Sequence, residues 1–136
     1  MTETLHEEGE EEIYRENILD HYRNPHNYGT LDPCTFTASQ NNPVCGDHID
    51  LFVKVEQGKV ETVKFSGSGC AISMASASLL TDKMKGMSIE ELKKLTKENI
   101  IQMMGIPLGV VRIKCALLSL TVLTKGLQTW EVHNHA

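Results

Sequence analysis

The sequence predicts an α+β domain: a small three-stranded antiparallel sheet packed against four to five helices. Three observations predict it. Apolar residues alternate with period two only in the middle of the first half, around residues 51–65. Helical spacing appears before that stretch and throughout the second half. The order of elements is helix, strands, then helices, with no internal repeat and no linker, which is the order of a segregated α+β fold.

The first helix is expected from about Glu11 to Arg23, with Ile13, Ile18, Leu19 and Tyr22 forming its apolar side. Asn24-Pro25 stops it, because a residue before proline avoids the helical region. A short first strand is expected at Phe36–Gln40. Leu51, Val53 and Val55 then alternate with Phe52, Lys54 and Glu56, the pattern of a half-buried strand. Gln57-Gly58 reads as a two-residue hairpin turn, and the return strand runs from Lys59 to Phe65.

After Gly69 the pattern becomes helical. Residues Ala71 to Lys85 are rich in Ala and Ser, small side chains that let a helix lie close to its neighbours, with Ile72, Leu79 and Leu80 as anchors. Ser88-Ile89-Glu90-Glu91 is a capping box opening a short helix to about Leu95. Thr96 caps another, which ends near Met104-Gly105. The last helix is expected from Val111 or Arg112 to Gln128, with Ile113, Ala116, Leu117, Leu120, Thr124 and Leu127 on one face.

The bulk numbers narrow the class. The chain has 136 residues, 40% hydrophobic and 23% charged, as expected of one soluble globular domain. No apolar run approaches the ~20 residues that span a bilayer, so no membrane partner is expected. The acidic start is not that of a signal peptide. Residues 1–12 hold six glutamates and no Lys or Arg, which accounts for more than the whole formal charge of −5. They read as a disordered acidic tail, residues 13–130 as the single domain, and residues 131–136 as a flexible C-terminus, with Trp130 folding back to cap the last helix. No basic stripe interleaved with aromatics is present, so nucleic acid is not an expected partner. The expected compartment is the cytoplasm.

Four cysteines in such a chain point to metal or redox chemistry before disulfides. Cys45 and Asp47 share the turn made by Pro43 and Gly46. Cys70 ends Gly67-Ser68-Gly69-Cys70, where a strand gives way to a helix. Cys115 is expected in the first turn of the last helix. Helix N-termini favour thiolate over thiol. Three soft thiolates with one hard carboxylate suit Zn²⁺ or an iron–sulfur cluster. Gly67 and Gly69 are expected to let backbone N–H groups approach cluster sulfide. Lys114, beside Cys115, is expected to lower that thiol's pKa and to pair with Asp47. Cys34, next to Pro33 and away from these flanks, reads as structural or incidental. His48 adjoins Asp47, but neighbouring positions on a strand point apart. His133 and His135 fall in the tail.

The motifs resemble a family. Asp20-His21-Tyr22-Arg23-Asn24-Pro25 with Gly29, Asn42-Pro43-Val44-Cys45-Gly46-Asp47, Gly69-Cys70-Ala71-Ile72-Ser73 with Ala75-Ser76-Ala77-Ser78, and Arg112-Ile113-Lys114-Cys115-Ala116 occur in the order found in IscU/NifU-type iron–sulfur cluster assembly scaffolds, including the SufU branch. The resemblance covers residues 12–128. It implies the SufE/NifU-like fold, Cys45, Cys70 and Cys115 as cluster-bearing thiols, and Asp47 as their nearby carboxylate. It also implies a cysteine desulfurase as sulfur donor, acceptor apo-proteins, and a homo-oligomer with bound cluster. Two features depart from the IscU pattern. Lys114 stands where many scaffolds have histidine, and Leu108-Gly109-Val110-Val111-Arg112 replaces their Leu-Pro-Pro-Val-Lys chaperone-docking segment. Lys114 looks SufU-like, but the spacing from Cys70 to Cys115 is IscU-sized.

Three readings stand at this point. The leading one is a non-enzymatic scaffold for a transient cluster, [2Fe–2S] in type. The second is a zinc-dependent sulfur acceptor or sulfurtransferase, with Zn²⁺ on Asp47 and the three cysteines. The third is a structural zinc module, against which the exposed, Gly-flanked setting of the cysteines argues.

Overall fold

A computed structural model describes the backbone of residues 2–43 and 46–135, and side chains from residue 11 to residue 133 within those limits. Its elements are α1 (Thr2–Arg23), β1 (Phe36–Asn42), β2 (Asp47–Glu56), β3 (Lys59–Ser68), α2 (Ala71–Met84), α3 (Ile89–Lys93), α4 (Lys97–Met104) and α5 (Val110–His135). The strands form an antiparallel meander in the order β1-β2-β3. The expected α+β architecture, with three strands and five helices, is present.

The sheet follows from its alternation. Phe36 pairs with Val53, and Leu51 and Val53 lie opposite Phe65 and Val63. These side chains, with Ile49, share the buried face. Gln57 and Gly58 both have positive φ, 54° and 77°, the turn that matches strand twist in a two-residue hairpin. α2 and α5 pack on each other, α2 lies against β3, and α5 lies against β1 and β2. α1 covers α2, and α4 packs on α5 and α2.

The small residues of α2 set how closely the helices approach. Ser73, Ala75, Ser76, Ala77 and Ser78 are all buried. Ser76 Oγ donates to the carbonyl of Ala116 on α5 at 2.6 Å, so a buried hydroxyl is satisfied across the helix pair. The Ser88 and Thr96 caps form as expected, each donating and accepting with the residue three positions on. Gly105 ends α4 with φ 71°. A Cβ there would lie 2.1 Å from the Tyr14 ring, so the same glycine also seats α1.

Several expectations are corrected. α1 is helical from Thr2, so residues 2–12 of the acidic stretch expected as a disordered tail have helical backbone. Glutamate is a good helix former, and acidic residues near a helix N-terminus complement its dipole. Of its expected apolar side only Ile18 enters the core, while Ile13, Leu19 and Tyr22 are exposed. α1 is an outer layer that meets α2 along a narrow line through Ile18 and the buried His21. β1 continues to Asn42 and α5 to His135. Nothing between Gln128 and His135 breaks a helix, so residues 131–135 of the stretch expected as a flexible C-terminus have helical backbone. Trp130 is not a folded-back cap. It lies within α5, its ring 5.9 Å from that of Phe36, while the next residue, Glu131, pairs with Lys93.

Candidate metal centre

The site forms where three chain segments end at one edge. β2 begins at Asp47, α2 begins after Cys70, and Cys115 projects from α5 beside them. One ligand atom from each of Asp47, Cys70 and Cys115 lies within 4.8 Å of the other two. Tetrahedral zinc, with Zn–S bonds of about 2.3 Å, sets its sulfurs roughly 3.8 Å apart. The three donors therefore stand close to a coordination geometry, and a carboxylate with two thiols fits a borderline or soft metal. Cys45 lies outside the described residues, two positions before Asp47 in the sequence.

Asp47 is almost wholly buried, at 1% exposure. A buried carboxylate must be hydrogen-bonded, and two groups of the α2 N-terminus do this. The Cys70 N–H donates to Oδ1 at 3.0 Å, and the Ser73 hydroxyl donates to Oδ2. Cys70 is the N-cap residue of α2, but its side chain makes no capping bond. Its Sγ lies 3.3 Å from Ser73 Oγ and 3.9 Å from Asp47 Oδ2. Cys70 is exposed and Cys115 is 2% exposed, so one thiol faces solvent and the other anchors from within.

The glycines take a different part from the one expected. A Cβ on Gly69 would lie 2.7 Å from Asp47 Oδ1, so the missing side chain is the space the carboxylate occupies. Gly67 has φ 138°, and a Cβ there would lie 2.0 Å from the carbonyl oxygen of His48, so it permits the close approach of β2 and β3. His48 points away from the centre, as expected, with Nε2 2.8 Å from Asp50.

α5 starts at Val110, earlier than expected, which moves Cys115 out of the first helical turn. Ile113 N–H already donates to Gly109 O, so the unpaired N–H groups of the helix end lie behind Cys115. Cys70 therefore stands at a helix N-terminus, as expected, and Cys115 does not. Lys114 is exposed and faces a shallow depression with Asn41, Asn42 and Pro43. It makes no ion pair with Asp47, whose described partners are Cys70 and Ser73. One residue before Cys115 is about 100° around the helix from it. Arg112, three before, shares its face.

Arg112 lines a cleft of about 470 Å³ beside the cysteines. Arg15, Leu19, Cys70, Ile106 and Cys115 line it too. Sequence reasoning missed three participants. Ser73 had a signal, three residues after Cys70 in the first turn of a helix. Arg112 had one in its spacing from Cys115. Arg15 had none, because only the packing of α1 brings it there. Cys34 is half-buried, beside β1 and apart from the centre. Among the described residues no helix is long and apolar enough to cross a membrane.

Comparison with known proteins agrees with this geometry. The model of the NifU-like N terminal domain matches residues 13–136. The zinc-dependent sulfurtransferase SufU of Bacillus subtilis is 41% identical over 139 residues, spanning 90% of this chain and 94% of that protein. The iron-sulfur cluster assembly scaffold protein IscU of Azotobacter vinelandii is 39% identical over 110 residues, spanning 78% and 84%. A crystal structure of a candidate SUF-system iron–sulfur scaffold from Fervidobacterium islandicum superposes with a TM-score of 0.69 at 26% identity, over 82% of this chain and 94% of that one. The sheet order, the shared edge of Asp47, Cys70 and Cys115, and a family match running from α1 to the C-terminus agree: this chain belongs to the NifU-like N-terminal domain family.

Proposed function

We propose that this protein is a scaffold on which a transient iron–sulfur cluster, [2Fe–2S] in type, is assembled as cargo and passed to acceptor proteins. The observation that carries the reading is the convergence of Asp47, Cys70 and Cys115 within 4.8 Å at the mouth of an open cleft. Cys45, two residues before Asp47 in the sequence, is the third thiol of the proposed set. Cys115 holds the cargo from the buried side. Cys70, exposed at the start of α2, is the thiol that a sulfur donor reaches. Its thiolate attacks the outer sulfur of a cysteine desulfurase persulfide; the sulfur–sulfur bond breaks and the donor's thiolate leaves. Asp47 is a hard oxygen donor among soft sulfurs, a weak ligand suited to cargo that must depart. Thiols that must stay reduced suit a reducing compartment, and the proposed compartment is the cytoplasm.

A second reading is favoured by the 41% identity to a zinc-dependent sulfurtransferase along nearly its whole length. In it, Zn²⁺ rests on Asp47, Cys45, Cys70 and Cys115, and one thiol is released to accept persulfide sulfur. Anaerobic reconstitution with iron, cysteine and a cysteine desulfurase separates the two readings, followed by visible absorption and metal analysis. The scaffold reading expects a cluster chromophore with iron bound and zinc displaced. A chain that keeps its zinc, takes up no iron and carries persulfide on a cysteine is a sulfurtransferase instead.

A further inference from the structure

A second group of metal-binding side chains lies at the far end of α2. Asp82 follows Cys70 by twelve residues, about 18 Å along a helix axis. His21, in the last turn of α1, and His26, in the turn after it, meet Asp82 there. One ligand atom from each of the three lies within 4.8 Å of the other two.

Each side chain is held by a neighbour. His21 is 6% exposed, and its Nδ1 lies 2.7 Å from Ser78 Oγ. The backbone N–H of His26 donates to the same hydroxyl at 2.7 Å. Asn27 donates to Asp82 Oδ1 at 2.9 Å and to Thr81 Oγ1 at 3.1 Å. His26 Nδ1 lies 2.5 Å from Asp82 Oδ2, within hydrogen-bond distance. The two imidazole rings are 4.3 Å apart between centroids. Partners of this kind, which fix a ligand's orientation, are what built metal sites provide around imidazole and carboxylate. Burial, and then the neighbouring His26, lower the pKa of His21, against the opposing pull of Asp82 and Asp20. Its ring therefore keeps a lone pair at neutral pH. Lys85, 3.8 Å from Asp82 Oδ1, is the cation that faces the carboxylate from α2's own end.

We infer that His21, His26 and Asp82 form a second cation site, separate from the thiolate centre, for a divalent first-row transition ion such as Zn²⁺, Co²⁺ or Ni²⁺. Two imidazoles and one carboxylate suit these borderline ions and contain no thiolate to draw softer ones. The ion takes the place of the hydrogen bond between His26 and Asp82 and competes with protons for the imidazole lone pairs, so its binding weakens as pH falls. It ties the turn after α1 to α2, at the opposite end of that helix from Cys70.

Cobalt tests this on the intact, untagged, metal-free chain under reductant. Co²⁺ on thiolates shows strong sulfur-to-metal charge transfer; Co²⁺ on imidazole and carboxylate shows only weak d–d bands. The expected result is two Co²⁺ per chain, one of each class. His26→Ala and Asp82→Asn should each remove the second class while leaving the charge-transfer band intact. The loss should exceed the roughly 10–100-fold that removing a mere supporting partner causes. Both residues are part-exposed, so the variants should fold, and circular dichroism checks this. Cys70→Ser should weaken only the charge-transfer class. Saturation at one Co²⁺ per chain overturns the inference. So does a second class that survives both His26→Ala and Asp82→Asn, or one that disappears when His133 and His135 are replaced by asparagine.

Discussion

Asp47 and Cys70 are joined by the backbone as well as by their place at one centre: the Cys70 N–H donates to Asp47 Oδ1 at 3.0 Å, and the Cys70 thiol lies 3.9 Å from Oδ2. The first residue of β2 thus fixes the residue that opens α2. The carboxylate is held by the protein before any metal arrives, and it sits in the space that Gly69 leaves.

Gly69→Ala tests that arrangement. The added Cβ would fall 2.7 Å from Oδ1 and 2.9 Å from Cγ of Asp47, both buried, so the carboxylate must shift. We expect a stability loss of about 1–3 kcal/mol in chemical denaturation, with metal affinity reduced by at least about tenfold. Unchanged zinc affinity would show that the carboxylate's position does not matter to the centre.

Asp47→Ala tests the role of the oxygen ligand. Removing the hard donor should slow transfer of a reconstituted cluster to an acceptor apo-protein, because solvent and acid attack the iron–carboxylate bond first. Transfer followed by visible circular dichroism reads this directly. Faster transfer from the variant contradicts a releasing role.

The cations that line the cleft with Cys70 and Cys115 are Arg15 and Arg112, and Lys114 is not among them. Alkylation of Cys70 by the anionic reagent iodoacetate in the metal-free protein, with the other three cysteines replaced, should slow in Arg112→Ala, since a cation lining the same cleft attracts the reagent. Lys114→Ala should leave the rate within twofold. The opposite ranking would restore the electrostatic role the sequence suggested for Lys114.

The buried His21 makes stability depend on pH. Its folded pKa is lowered from 6.5 by burial and then by His26. Below 6.5 the unfolded chain binds a proton that the folded chain refuses, so stability falls as pH drops through that range and is fully present above it. Urea unfolding between pH 7.5 and 5.5, with chelator present, should show this decline, and His21→Gln should flatten it. An equal slope in the variant assigns the decline to other groups.

The sheet and the caps were legible because their signals are local. Alternation placed Leu51 and Val53, the Gln57-Gly58 turn fixed the hairpin, and Ser88 and Thr96 opened their helices. Asp47, Cys70 and Cys115, which meet at the candidate centre, were legible because Gly, Pro and Cys cluster around them. What the sequence concealed depends on packing. The apolar side of α1 looked like a core face, but the structure buries His21 in place of Tyr22, because Ser78 on α2 stands ready to bond the ring. Lys114 drew attention by adjacency to Cys115, while three-residue spacing placed Arg112 on the working face. The glycines before Cys70 were read as openings toward a cluster, yet the atoms that fill their space belong to Asp47 and to the backbone of His48.

The most direct test of the central claim is the metal and cluster content of four single variants, Cys34→Ser, Cys45→Ser, Cys70→Ser and Cys115→Ser, each reconstituted anaerobically with iron, cysteine and a desulfurase and each shown to be folded. The account predicts that Cys34→Ser binds like the parent chain and that the other three lose the cluster and bind zinc weakly. Loss of metal from Cys34→Ser together with full retention in Cys70→Ser would contradict it.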